Sequence, residues 1–363
     1  MPGEPVEALR LLAEAAAMPN GPTKIAVLEE ATRRADLGGD LELAFRARTE
    51  LASAAEFGGS PEKTLVTFAW LLARIDEHPG RFNEWQTLWT YKWAVTSLVE
   101  FATVPMSEVE SAIADLEARF IRQGAGPRAA AKLRWRVARA AGDAPEARRW
   151  LDVWRGTQRD FLSDCAACDA GERAECQLFL GDVEGAIETA APIFAGRLRC
   201  AEVPHNTYAD FLLPLLDRDD RETAKGYHER GYELIRRNPE FLQDIGDHIA
   251  YLTLVGALGR ATALLERHLS WAVPVVASLG HVNFLLGARL LLDALAATSD
   301  VVIRVPDGFG GESGARRIPS HEARAVVDEE LDRLVAAFDR RNGNDHYTRV
   351  RSSYDARSAE AST

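Results

Sequence analysis

Apolar residues recur at spacings of three and four along almost the whole chain, and Gly-Asp or Pro turns interrupt them every 15 to 20 residues. This is the signature of successive amphipathic helices. Strand-like alternation occurs once, at Val301, Ile303 and Val305. The pattern predicts an all-α fold with a short extended and Gly-rich excursion over residues 299–319. Within it, Asp307 to Gly314 reads as a flexible loop that lacks the Lys-Ser/Thr ending of a phosphate-binding loop, so no nucleotide site is assigned. The excursion should enter between a helix ending near Ala297 and a final helix from about Ser320 to Arg340, closed by a left-handed cap at Asn342-Gly343. Residues 346–363 read as a loose tail.

The helices carry a period. A turn glycine, a small polar residue and a helix bearing alanine recur at Gly142 to Ala147 and Gly181 to Ala186, with a looser copy ending at Ala224. Those alanines lie 39 and 38 residues apart, and Gly259 to Leu264 extends the run another 40 residues with Leu in the alanine slot. Such self-similarity predicts stacked helical hairpins, each too small to bury its apolar face alone. Gly39 to Ala44 and Gly59 to Thr64 fit the same turn, but lie only 20 apart, as successive helices would. The division is therefore 1–140, divergent hairpins; 141–345, regular repeats and a closing helix; and 346–363, the tail, within one continuous array.

Across about 140–297, the tight Gly turn, the close-packing Ala and Pro239 after the second helix resemble the tetratricopeptide repeat, in a variant with a period longer than the usual ~34 residues. The resemblance implies a right-handed α-solenoid with a concave face that holds a peptide or partner helix.

Charge narrows the partners. The chain has 43 basic and 55 acidic residues, a net charge of −12, which disfavours nucleic acid and anionic lipid surfaces. The first residues are acidic where a targeting peptide would need Lys or Arg. Leu285 to Ala297 is broken by Arg289 and Asp293, so no membrane span is read and a cytoplasmic protein is expected. In a reducing compartment, its four cysteines are expected as metal ligands or core thiols rather than disulfides.

Three of them have metal-ligand spacing. Cys165-Ala-Ala-Cys168 is followed by Cys200-Ala-Glu-Val-Pro-His205, with 35 residues from Cys165 to Cys200 and 37 from Cys168 to His205. Both intervals approach the repeat period. With helices placed at Ala144 to Phe161 and Val183 to Phe194, the two half-sites fall in equivalent loops of neighbouring hairpins. Axes there are about 8–10 Å apart, a gap that two loops can bridge on one tetrahedral zinc. Cys165, Cys168, Cys200 and His205 would close the coordination sphere, which makes the expected zinc structural. Pro204 would restrain the loop, and Glu202 would orient His205. Cys176, within a short helix from Glu172 to Leu180, reads as a core thiol or a substitute fourth ligand. Two further readings stand beside the metal: buried structural thiols, and a redox dithiol. The redox version lacks a preceding strand, and Asp164 and Asp169 would raise the thiol pKa values.

Elsewhere no catalytic constellation appears, and the His-x-Glu of a zinc deaminase is absent. Trp85, Trp89 and Trp93 form a helical stripe, read as an aromatic seam rather than a ligand platform. His228, His248, His268 and His281 lack partners at metal spacing and read as packing or surface residues. The pairs Arg33-Arg34, Arg148-Arg149 and Arg236-Arg237 read as solvated helix-end or surface cations.

Taken together, Cys165-x-x-Cys168, Cys200-x-Glu-Val-Pro-His205-x-Thr-Tyr208 and the closing Arg341-Asn-Gly343 resemble a group of functionally undefined bacterial tetratricopeptide-type proteins over about 160–345. The implied role is a non-enzymatic scaffold for a neutral or basic peptide or protein partner. A peptide- or small-ligand-responsive regulatory sensor is the alternative. A metal-dependent enzyme is a third reading, which requires an open metal position.

Overall fold

The computed structural model describes residues 3–200, 202–273, 276–296 and 301–361; the expected helix end near Ala297 and the start of the excursion at 299–300 lie outside them. Its helices are α1 (Glu4–Ala16), α2 (Pro22–Gly38), α3 (Leu41–Glu56), α4 (Pro61–Glu77), α5 (Glu84–Glu100), α6 (Met106–Arg122), α7 (Arg128–Ala140), α8 (Ala144–Gly156) and α9 (Ala166–Phe179). They continue as α10 (Val183–Phe194), α11 (His205–Asp210), α12 (Leu212–Asp217), α13 (Arg221–Ile235), α14 (Leu242–Leu254), α15 (Leu258–His268), α16 (Leu279–Ala296), α17 (Ser320–Asn342) and α18 (His346–Ala361). A single antiparallel pair, β1 (Val302–Val305) and β2 (Arg316–Pro319), interrupts them among the described residues. The fold is all-α apart from that hairpin.

The repeated turn has a local cause. Gly39, Gly142 and Gly181 take positive φ, and the following Asp40, Asp143 and Asp182 each accept a hydrogen bond from a backbone N–H in the first turn of the next helix. A left-handed residue ends one helix and an aspartate caps the next. The looser copy uses Asp219 in the left-handed position, with Asp220 as cap. The last copy is displaced from the sequence reading. Its left-handed glycine is Gly256, not Gly259, and the close-packed small residue is Ala261, not Leu264. Ala147, Ala186, Ala224 and Ala261 are all fully buried, each five positions after its turn residue.

Consecutive helices pack as hairpins, among them α1 with α2, α3 with α4, α7 with α8 and α9 with α10. A second series joins next-but-one helices: α1 to α3, α3 to α5, α5 to α7, α7 to α9 and α9 to α11, then α11 to α14 and α14 to α16. The array also meets itself. Asn238 Nδ2 donates to the Phe57 carbonyl at 2.9 Å, and the Ala102 N–H donates to the Ala277 carbonyl at 2.9 Å. Arg341 Nη1 reaches the carbonyls of Val99 (2.7 Å) and Phe101 (3.0 Å). The first third of the chain is thus tied to the last.

Two expectations change near the C-terminus. The excursion is an ordered hairpin: Ile303 pairs with Ile318, and Ile303, Val305 and Phe309 are buried where β1 packs on α15 and α17. Its glycines Gly308, Gly310 and Gly311 supply the positive φ angles of the tip. The supposed loose tail at 346–363 is helical to Ala361. Its weak amphipathicity hides it in sequence; Asp339 holds it by accepting from the N–H groups of Tyr347 (2.8 Å) and Thr348 (3.1 Å), and Tyr347 Oη donates to the Ala140 carbonyl. Finally, α16 is long and apolar enough to cross a membrane by length and composition, but 72% of it is buried inside the protein.

Candidate functional site: a thiol cluster on the wall of an interior cavity

Cys165 caps α9, its Sγ accepting from the Cys168 N–H, and Cys168 stands on the first helical turn. The loop after α10 brings Cys200 back, its N–H donating to the Val203 carbonyl at 2.8 Å. Cys168 Sγ and Cys200 Sγ are 3.3 Å apart, and the sulfurs of Cys165, Cys168 and Cys200 all lie within 4.8 Å of one another. Three corners of a zinc tetrahedron with Zn–S of about 2.3 Å stand about 3.8 Å apart, so this soft donor set fits such an ion with small adjustments. The Cys168 and Cys200 thiols are within hydrogen-bond distance of each other. That contact raises the Cys168 pKa and lowers that of Cys200.

His205 does not join them. It is the first residue of α11, and its ring stacks on Phe241 at 5.6 Å between centroids, with Nδ1 buried and without a hydrogen-bond partner among the described residues. Helix initiation directly after Pro204 places the ring against Phe241 instead of the sulfurs, and burial lowers its pKa. Cys176 is not a ligand either. It is fully buried among Trp135, Leu151 and Trp154, where burial pushes its thiol up to about 12. The site offers three protein ligands, not four.

The acids flanking the pair are compensated. Asp164 accepts from Lys92 Nζ at 2.8 Å and Lys132 Nζ at 2.6 Å; burial opposes its ionisation, but the two ammonium groups hold its carboxyl below the usual range. Asp169 takes both oxygens to Arg128 Nη2 at 2.7 and 2.8 Å, and Trp154 Nε1 adds a third bond. Glu172, one turn after Cys168, pairs with Lys132 and Arg136. These bonds fix the start of α9 against α5 and α7. The sequence reading, in which Asp164 and Asp169 act on the thiols, omitted the cations that offset them.

Cys168 also lines a cavity of about 510 Å³. Its wall is built from the next-but-one series: Glu56 on α3, Trp93 and Glu100 on α5, Arg136 on α7, Glu175 on α9, Asp210 on α11, Gln243 on α14 and His281 on α16. Among its charged lining residues carboxyl groups outnumber Lys132 and Arg136. Burial lifts Glu56 to about 7 and raises Glu100. Asp210 and Glu240 are held well above the carboxylate range, first by burial and then by neighbouring carboxylates. The tryptophan stripe divides: Trp85 is exposed, Trp89 lies under the Lys92 ammonium, and Trp93 packs edge-on against Phe57 on the cavity wall.

Sequence spacing missed two constellations. One is this acidic wall, to which α3, α5, α9 and α11 contribute Glu56, Glu100, Glu175 and Asp210, and the segments before α11 and α14 contribute Glu202 and Glu240. The other joins His228, His248 and His268, all buried: Arg260 donates to His228 Nε2, so His228 Nδ1–H donates to His248 Nδ1 at 2.9 Å, while Tyr232 Oη bonds His268 Nε2 at 3.1 Å. Their recurrence every 20 residues, through α13, α14 and α15, was the available signal.

No protein-family model matches this chain, and no curated protein matches it.

Proposed function

We propose that the chain is a non-enzymatic, ligand-responsive regulatory protein: a right-handed, tetratricopeptide-like α-solenoid that receives a small ligand, or one end of a peptide, in its interior. The observation that carries this reading is the cavity of about 510 Å³, walled by the inner faces of helices from α3 to α16 and bounded by the closure contacts at Phe57–Asn238 and Ala102–Ala277. Its size is that of a compact ligand site, about 300–1,000 Å³. The series of next-but-one packings supports the solenoid order. A ligand touching both halves would change the free energy of the closed form relative to an open one, which is the physical requirement of a sensor.

Within this reading, zinc on Cys165, Cys168 and Cys200 staples α9 to the loop before α11. Metal-dependent catalysis is the second reading. It is favoured by one observation, that a three-thiolate centre has a fourth position and Cys168 borders the cavity. The test is a thermal-shift and calorimetric screen of the metal-loaded protein against small ligands and short peptides. A saturable ligand that raises Tm and is lost on plugging the cavity by Ser97→Trp supports the receptor. Turnover of a bound ligand that stops on zinc removal replaces it with the enzyme.

A further inference from the structure

The cavity wall carries more carboxyl groups than its own cations can pair. Lys132 and Arg136 are bound to Glu172, and Arg139 to Glu175 at 2.9 Å. Among the described residues, no ion pair within 4.0 Å holds Glu56, Glu100, Glu202, Asp210 or Glu240, all of which line the cavity. Beside them Asp244, 2% exposed and adjacent to the lining residue Gln243, has an Oδ1 with no hydrogen-bond partner among the described residues, in the field of Asp210, Asp247 and Glu175. Half-buried carboxyls without a cationic partner are held toward the neutral acid, and a cation that enters the cavity favours their ionised form. We propose that the ligand of this cavity is an organic cation bearing two or more alkylammonium groups; the proposal rests on the cavity being a ligand site.

Three features select that class. The acids are spread around the wall, Glu56 on α3, Glu100 on α5, Asp210 on α11, Glu202 before α11 and Glu240 before α14, so that more than one ammonium centre can meet a carboxyl. A compact metal ion is a poorer match, because among the described residues the three sulfurs are the only group of three or more Cys, His, Asp or Glu ligand atoms within 4.8 Å of one another. Trp93, Phe57 and Trp271 also line the cavity, and aromatic rings attract alkylammonium carbons more than a hydrated metal ion. Free polyamines and the lysine side chains of a peptide share this chemistry.

The experiment is titration calorimetry on the full-length, metal-loaded protein with spermidine, a Lys-Lys dipeptide amide, 1,8-octanediol as neutral isostere, suberate and MgCl₂. Spermidine or the lysine peptide should bind saturably at about 1:1, and which of the two binds more tightly identifies the source. Glu240→Gln and Asp210→Asn should each weaken binding about tenfold or more, the size of one lost charge-assisted hydrogen bond. Both substitutions remove the carboxyl that a cation would ionise and keep its shape, and circular dichroism checks that they fold. Exposed Glu188→Gln should change nothing, and binding that survives 0.3 M salt separates the interior from diffuse surface attraction. Equal or tighter binding of octanediol, suberate or Mg²⁺ at Glu240 and Asp210 overturns the ammonium assignment and leaves the cavity reading intact. Failure of every probe, with Ser97→Trp also without effect in the wider ligand screen, overturns both.

Discussion

Cys168 Sγ lies 3.3 Å from Cys200 Sγ although 32 residues separate them, so the start of α9 and the loop before α11 meet through sulfur. Protein purified without added metal should carry close to a single zinc per chain by elemental analysis. Cys168→Ser should abolish it and lower Tm. His205→Ala and Cys176→Ser should retain the metal, although Cys176→Ser should cost about 1–2 kcal/mol by placing a hydroxyl among Trp135, Leu151 and Trp154. Metal loss in His205→Ala would restore the four-ligand site.

Closure rests on close backbone approach. Gly59 has a φ of +78°, and a Cβ built there would stand 2.5 Å from the Glu240 nitrogen. Gly59→Ala should therefore destabilise by about 2 kcal/mol or more and raise amide exchange at 57–61 and 238–240 together. Asn238→Ala, which removes both the bond to Phe57 and the cap on Glu240, should cost about 1–2 kcal/mol in urea denaturation.

The buried Arg128–Asp169 pair predicts an asymmetric mutational response. Arg128→Met leaves the Asp169 carboxylate without its bidentate partner and should cost about 3–5 kcal/mol. Adding Asp169→Leu should recover a large part of that loss. Equal stabilities for the single and double variants in a urea-denaturation cycle would remove the pair from the account of how α9 is held.

Stability should fall as pH rises through neutrality. Glu56 lies at about 7 against an ordinary 4.5, and Asp247 at about 7 against 3.8, both because burial favours the neutral acid. A folded-state pKa above the unfolded one means that the folded protein binds more protons in this window. The contribution is fully present below the unfolded values and is lost as pH climbs through about 7. Glu56, which accepts from Ser97 Oγ at 2.9 Å, is the cleaner probe. Glu56→Gln should flatten the profile between pH 5 and 8 by roughly 2 kcal/mol, read from urea midpoints.

The helical class, the Gly-Asp turn and the thiol spacing were legible because each is local. A period of three and four, a left-handed residue before an aspartate cap, and Cys-x-x-Cys on one turn depend on neighbours within a few positions. The reading slipped where local signals compete: Gly259 stands three residues from the true turn glycine Gly256, and α18 has almost no apolar stripe to announce it. His205 was placed by spacing alone, and spacing does not say which way a ring points once helix α11 begins. The acidic cavity, the cations that offset Asp164 and Asp169, and the joining of Phe57 to Asn238 belong to the tertiary structure. Each depends on residues brought together from distant helices, and the burial that shifts the cavity carboxyls exists only once those helices pack. The sequence by itself determined the repeating unit and the thiols; packing decided what the units enclose and how much charge they hold there.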